Sequence, residues 1–435
     1  MPSTPKPTLR ARRRAIAEEI AARGVRFVRL QFVDLFGVSK MVSVPASRLA
    51  EILDGTISFD GGSIDGFVRD EELDMLLQPD LESFAIFPWN DGQPEARLIC
   101  TIAMPDGSPF EGCPRTTLQR NVERLDALVP GARIASEVEF YLFSSREGGE
   151  RGTETSDVGS YFDFSPNDRG ERARDAIVSA LESMGVPVSA AHHEHSPGQH
   201  EIDLAPLGPL AAADAILTLR TLAKHLAPEH ALEATFMPKP RESTAGSGLH
   251  LTVQLGERSD RESLLYAVGG LLAHGPALTA LCNPTVNSYK RLVAAWDAPI
   301  HCVWSRRSTD AMIRVPDESA REIELRSPDP ACNPYLALAV VVAAICDGIE
   351  RRTLPGEPVV HSSYATGERE RRERGIVALP KSLRQSIDSL DADECVRGAI
   401  GDHCYHALRD AKIAEYERYR RAVHDWEREA YLRRY

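Results

Sequence analysis

Ten consecutive residues, His192-His193-Glu194-His195-Ser196-Pro197-Gly198-Gln199-His200-Glu201, gather two carboxylates and four imidazoles around a Pro-Gly turn. Donors at that density point to a cation. Carboxylate oxygens suit hard ions such as Mg²⁺ and Mn²⁺, whereas a set made of histidines alone suits zinc. No spacing within the stretch closes a metal motif by itself, and His and Glu also populate solvated turns. The remaining donors must therefore come from other elements.

Strand periodicity supplies them, because residues two apart on a strand face the same way. In Ser136–Phe143, Glu137 and Glu139 share one face while Val138, Phe140 and Leu142 take the other. Two carboxylates about 7 Å apart on one face repel each other unless water or a cation separates them. In Gly246–Leu255, His250 falls on the polar face between Leu249, Leu251, Val253 and Leu255. In Arg321–Tyr335, Glu322, Glu324 and Arg326 oppose Ile323 and Leu325. Glu137, Glu139 and Glu324 with Glu194 and Glu201 make five carboxylates that, with the imidazole of His250, could line two adjacent cation sites. The oxygen-rich set favours Mg²⁺ or Mn²⁺ over Zn²⁺, and paired hard cations suit phosphoryl groups. Positive charge comes from Arg291 in Asn287–Val293 and from Arg306, Arg307 and Arg314 in Arg306–Pro316, available to anionic substrate groups or to nearby acids.

The elements that must hold these groups belong to an ordinary globular chain. At 435 residues, more than one domain is expected. A net charge of −13 argues against a nucleic-acid or anionic-membrane surface, so small ligands are the expected partners. Eight cysteines without a C-x-x-C pair fit reduced thiols in the cytoplasm. The arginine-rich start, Leu9–Gly24, reads as an exposed helix rather than a targeting peptide. The longest apolar run, Tyr335–Ile349, is shorter than the roughly 20 residues that span a bilayer and reads as a buried helix.

Alternation over Val25–Pro45 with Gly37 at its middle predicts a β-hairpin, and Phe59–Asp80 a flexible loop presenting Asp60, Ser63 and Asp65. The latter lacks the spacing of a phosphate-binding loop. A domain boundary is expected in Pro105–Arg120. Beyond it, strands alternate with helices at Gly170–Gly185 and Pro209–His230, an α+β pattern of helices on a sheet or open barrel. His361–Gly375 reads as a surface loop, and Ala411–Tyr435 as one charged helix.

Taken together, these segments resemble the glutamine synthetase family, class I bacterial type, from about Phe27 to the C-terminus. FDGGSIDGF resembles its acid-bearing latch, SEVEF its paired-Glu strand, HHEHSPGQHE its metal turn and AGSGLH its His strand; NSYKRLV and EIELRSPDPACNPYLALA resemble its arginine motifs. The resemblance implies a small N-terminal β-grasp-like domain (20–105) and a catalytic domain (110–435) on a curved antiparallel sheet or barrel with flanking helices. It implies Glu139, Glu194 and Glu201 at one Mg²⁺ or Mn²⁺ and Glu137, His250 and Glu324 at another. Arg291 and Arg326 match arginines that hold glutamate, with Arg314 beside them, and Gly246 a backbone contact to its amino group. Asp60, with Asp74 and Ser63 nearby, matches an acid contributed by a neighbouring subunit. A cytoplasmic ring, typically a homododecamer with active sites between subunits, is therefore expected. The implied reaction is ATP-dependent: glutamate is phosphorylated at its γ-carboxylate and an amine displaces phosphate.

Departures from the family pattern cluster in two places. Ala245 replaces an Asn, Asp297 a flap Glu and Trp296 a Tyr, which reshapes the amine pocket. Ser189, Ser308, Thr309, Ser319 and Glu322 stand at nucleotide-side positions where the family carries other residues, and one phosphate-facing arginine is lost. Arg306, Arg307 and Arg321 are candidate substitutes. The reading is a γ-glutamyl-amine ligase whose acceptor is an amine other than ammonia. The alternatives are a glutamine synthetase using ammonia and a catalytically impaired glutamate-binding homologue.

Overall fold

The structure, a computed structural model, describes residues 8–67, 74–89, 92–145, 152–257, 259–316 and 321–435. Helix α1 (Leu9–Arg23) opens the chain, capped by the Thr8 hydroxyl and closed by Gly24 in the left-handed region. Two β-rich segments then build a five-stranded sheet from β1 (Phe27–Val33), β2 (Ser39–Pro45), β3 (Ser58–Asp60), β4 (Asp74–Ile86) and β5 (Glu95–Ala103), in the order β2-β1-β5-β4-β3. The β1–β2 hairpin is antiparallel and turns through Gly37, whereas β1 and β5 run parallel. Helix α2 (Leu49–Asp54) covers part of this sheet, and Val28, Leu30, Leu77, Leu98 and Ile102 fill its core.

The second sheet takes β6 (Arg133–Ser144), β7 (Val188–His193), β8 (Gln199–Leu207), β9 (Leu232–Thr235), β10 (Leu249–Gln254), β11 (Trp304–Ser305), β12 (Ile313–Arg314) and β13 (Glu322–Leu325). Its order is β11-β12-β13-β10-β6-β8-β7, with β9 also pairing β6, and only the short β11–β12 pair is parallel. One face packs Val138, Phe140, Ile202, Leu251, Val253, Ile323 and Leu325 into the large core. The other is left to polar side chains. The α+β expectation, a β-grasp sheet beside a larger sheet with flanking helices, describes the molecule.

The helices are α3 (Pro114–Leu128), α4 (Glu171–Ser183), α5 (Pro209–Leu226), α6 (Arg261–Cys282), α7 (Ser288–Arg291), α8 (Pro334–Arg351), α9 (Glu368–Glu373), α10 (Leu383–Ala392), α11 (Glu394–Arg421) and α12 (Asp425–Tyr431). Helix α8 is apolar on all sides and buried from Pro334 through Gly348, with α3, α5, α6 and α11 packed around it. Its N-cap Asn333 accepts from Tyr335 N–H and donates through Nδ2 to the carbonyls of Asp34 and Leu35, next to the first hairpin.

Three expectations differ from the structure. His361–Gly375 contains α9 rather than loop alone, supported by i,i+4 pairs such as Arg369 with Glu373. The C-terminal helix is broken at Ala422–His424 into α11 and α12, because Ala422 is extended and His424 caps the second helix. Finally, α6 is long and apolar enough to cross a membrane, which the reading of the apolar runs missed; it is 67% buried here, against α8 and α10.

His274 on α6 ties three helices together. Its Nδ1 lies 2.7 Å from Asp393, the N-cap of α11, and its Nε2 lies 3.1 Å from Asp347 on α8. Burial alone would lower this imidazole, but the bonds to Asp393, Cys395 and Asp347 outweigh it and push it up to about 10. Because the folded value lies above the unfolded one of about 6.5, the stabilisation is complete below that pH and is lost as pH rises through about 10. His274→Ala should cost about 2 kcal/mol at pH 6. Denaturant melts across pH 6 to 10 should show the difference from wild type shrinking; a pH-independent difference would contradict a charged clamp.

Candidate active site

The polar face of the second sheet carries a row of functional side chains set by strand register. His250 lies opposite Glu137, Glu137 opposite Asp203, Glu139 opposite Glu201, and Glu201 opposite His192. Directly opposed side chains on neighbouring strands are about 5 Å apart. Glu194 follows β7 and enters the same space through the turn closed by the Glu194 N–H to Gln199 carbonyl bond (2.8 Å). The result is a cavity of about 380 Å³ walled by Glu137, Glu139, Glu194, Glu201, Asp203, His192 and His250 on one side. Arg291, Arg314, Arg326, Trp296 and Asp297 wall the other, and Gly246 lines it too.

Five acids on one half-buried surface cannot all keep their charge cheaply. Burial first, then the neighbouring Glu139, Asp203 and Glu194, pushes Glu201 up to about 11. Burial and Glu139 likewise push Glu194 up to about 8. Asp203 is raised by burial and by Glu137. Glu137 goes the other way: burial raises it, but the 3.0 Å bond from His250 Nδ1, with the charges of Arg326 and Arg314, outweighs that and lowers it.

Two donor groups converge within 4.8 Å, one of Glu137, Glu201 and His250, the other of His192, Glu194 and Glu201. Three carboxylates, Glu201 shared by both groups and raised with Glu194, together with two imidazoles, fit a hard divalent cation that would take the place of protons on the raised pair. Gly248 keeps the space open. A Cβ there would lie 2.8 Å from Arg291 Nη2, 2.9 Å from His250 Nε2 and 3.1 Å from Glu139 Oε1.

Not every candidate falls in these groups. Glu139 lines the cavity but accepts from Gln199 Nε2 and Gly248 N–H, both at 2.9 Å. Glu324 is buried beneath the cavity wall, one oxygen taken by Arg314 Nε and the other by Arg326 Nη1. Arg291 is buried and donates to the carbonyls of Ser327 (2.8 Å) and Arg326 (3.0 Å). Arg326 also donates to the carbonyl of Thr309, which lines the cavity.

Trp296 and Asp297 both adopt left-handed backbone, φ 57° and 55°, in the irregular stretch after α7. Tyr364 Oη fixes that stretch by donating to the Ala298 carbonyl at 2.7 Å. Trp296 is 55% exposed, with Lys239 Nζ 5.8 Å from its ring centre.

Asp60, Ser63 and Asp74 lie elsewhere. Asp60 pairs with Asp74 across β3 and β4, accepts from the Gly62 N–H and the Ser63 hydroxyl at 2.8 Å, and all three residues are exposed on the first sheet. Among the nucleotide-side positions, Ser189 is exposed on β7, Ser308 donates to Asp310, and Glu322 accepts from Gln254 at 2.9 Å. Ser319 lies outside the described residues. Arg306, Arg307 and Arg321 are not among the residues lining the cavity, and Arg321 donates to the Glu257 carbonyl.

Sequence reasoning passed over Asp203, Gln199 and Tyr161, all of which line the cavity. Asp203 stands two residues from Glu201 on β8, so the alternation that located Glu137 and Glu139 would have found it. Tyr161, stacked on His195 at 4.3 Å, precedes α4 in irregular chain that carries no periodic signal.

A β-grasp sheet beside a larger sheet that buries convergent acids and arginines is the frame of a metal-dependent ligase. Comparison with known proteins is specific: the glutamine synthetase β-grasp domain family matches residues 24–105 and the glutamine synthetase catalytic domain family residues 111–431. Glutamine synthetase of Thermus thermophilus is 44% identical, the match covering 97% of this chain and 98% of that one. Glutamine synthetase of Staphylococcus epidermidis is 42% identical with the same coverage. Among solved structures, GmaS in complex with ADP superposes with a TM-score of 0.84 at 28% identity, over 96% of this chain and 99% of that one. A glutamine synthetase of Plasmodium falciparum shares the fold, with a TM-score of 0.84 at 23% identity over 99% and 100% of the chains. The chain belongs to the glutamine synthetase family, whose members are ATP-dependent ligases of glutamate with ammonia or an amine and use Mg²⁺ or Mn²⁺.

The raised carboxyls make a calorimetric prediction. Loading Mg²⁺ or Mn²⁺ at pH 7 should release about one proton or more per subunit, read from titrations in buffers of different ionisation heat, and affinity should climb as pH rises through about 8. Binding without proton release would mean that the cation is held elsewhere.

Proposed function

We propose that this protein joins the γ-carboxylate of glutamate to an amine other than ammonia, with ATP as phosphoryl donor. The observation that carries the acceptor is the pair Trp296-Asp297. An indole and a shortened acid at the cavity wall offer a surface for an organic amine and a base for its proton.

In this reading Glu137, Glu139, Glu194, Glu201 and His250 hold the cations, His192 standing beside them; Glu324 would join them only by giving up one of its two arginine bonds, and Arg291 and Arg326 hold glutamate with the Gly246 backbone. The bound cations would shield the negative charge that gathers as a carboxylate meets a triphosphate. Arg314 adds positive charge at the same wall. An oxygen of the γ-carboxylate forms a bond to the γ-phosphorus and the bond to the ADP oxygen breaks, giving an acyl phosphate. The amine nitrogen then attacks the acyl carbon, phosphate leaves, and the proton lost by nitrogen passes to Asp297 or Asp60. Buried, positioned acids and arginines suit the reaction because they exclude water from the activated acyl group.

Asp60, Ser63 and Asp74 come from an adjacent subunit in this proposal, because their own chain leaves them exposed and outside its cavity. The proposed assembly is a ring of subunits, a dodecamer. Co-assembling Asp60→Ala subunits with Arg326→Ala subunits should restore activity that neither variant has alone; no recovery in a verified mixed assembly would refute a shared site.

The acceptor is tested with glutamate, ATP, Mg²⁺ and a panel of alkylamines, diamines, aminoalcohols and ammonia, products read by mass. Turnover of organic amines in preference to ammonia is expected. Turnover with ammonia alone would make the protein a glutamine synthetase in the narrow sense. Asp297→Glu should shift preference between ammonia and a larger amine by about tenfold, through KM for the amine and not for glutamate.

A further inference from the structure

Behind the cation turn lies a second polar cluster, Asp157, Asp168, His193 and His200, fully buried and close enough to resemble a metal site. Its hydrogen bonds say otherwise. Arg174 Nη1, which can only donate, lies 2.9 Å from His200 Nδ1 and 2.6 Å from Asp168. His200 therefore carries its proton on Nε2 and has no lone pair there for a cation. His193 faces acceptors at both nitrogens, the Glu194 carbonyl at 2.6 Å and Asp157 at 3.3 Å, so neither nitrogen is turned toward a cation. The cluster is a buried hydrogen-bonded network, Arg174 with Asp168 and His200, and His193 with Asp157.

Two of its contacts reach the turn between Glu194 and Glu201, one at Gly198 and one at the carbonyl of Glu194. One oxygen of Asp157 accepts from Gly198 N–H at 2.7 Å, from Gly159 N–H at 3.3 Å and from His193. Gly198 takes φ 73°, and a Cβ there would meet the Leu142 carbonyl at 2.9 Å, so the turn is pressed against β6 where Asp157 holds its N–H. His193 in turn grips the carbonyl of Glu194 itself. We propose that Asp157 is the positioning residue of the cation site, fixing the separation of Glu194 and Glu201 without touching the ion. The proposal rests on those two acids being cation ligands.

Mn²⁺ binding to the intact oligomer, followed by the paramagnetic resonance of free Mn²⁺ without nucleotide, tests it. Asp157→Ala should weaken binding about 10- to 100-fold, the usual cost of losing a group that orients a ligand. Asp157→Asn keeps an oxygen to accept from Gly198 N–H, so it should bind within about threefold of wild type. A role in stability alone would lower the melting temperature of Asp157→Ala and leave the Mn²⁺ affinity of the folded protein unchanged, which would overturn the proposal. If Asp157→Ala does not fold, a tenfold or greater loss in Asp157→Asn overturns it equally. Glu194→Gln and Glu201→Gln separate the two ideas: if neither weakens Mn²⁺ binding, the ligand assignment fails; if both do while Asp157→Ala binds normally, only the positioning role fails.

Discussion

Like charge held at close range governs this molecule. Glu137, Glu139, Glu194, Glu201 and Asp203 share one sheet face and one small cavity, where burial removes the water that would screen them. Without a cation the protein can relieve the repulsion only by keeping protons on Glu194 and Glu201 or by recruiting donors such as Gln199, His192 and His250. The donors are in place, and burial with the neighbouring carboxylates raises Glu194 and Glu201. The arginines opposite follow the same logic, since Arg314 and Arg326 neutralise Glu324, an acid too deep to be hydrated. A surface so arranged is ready for a ligand with the reverse pattern, positive ions beneath and negative groups above.

Rigid and irregular parts divide the site between them. The cation face is built from strands whose register leaves no freedom, so a slip of one residue would turn every acid into the core. The opposite wall comes from the stretch after α7, where Trp296 and Asp297 depend on two unusual backbone conformations and one tyrosine bond. In the proposed reading, changes in that stretch would alter which amine is accepted while the strand-borne cation face stays as it is.

Much of this was readable from residue types because period-two alternation is a local property. It placed Glu137 with Glu139, set His250 on the polar side and separated Ile323 and Leu325 from Glu324. What it could not give was depth and partnership. That Glu324 lies beneath two arginines, and that Glu201 belongs to both donor groups, depends on which strands neighbour which and at what offset. Asp157 and Asp168 were invisible for a different reason: they lie in aperiodic chain before α4, and only folding brings them against His193 and His200. The break before α12 was missed because a charged run with good helix formers looks continuous until His424 caps it anew.

Asn333 links the two sheets in a way that bears on how the molecule comes apart. One side chain starts the most deeply buried helix and at the same time holds the carbonyls of Asp34 and Leu35 beside the first hairpin. Releasing the small sheet would therefore leave the Asn333 amide without its two carbonyl partners at the entry of a buried helix, while fraying α8 would leave the hairpin's carbonyls unsatisfied. The smaller unit is thus more than an appendage: parting it from α8 leaves polar groups unpaired on both sides of the contact.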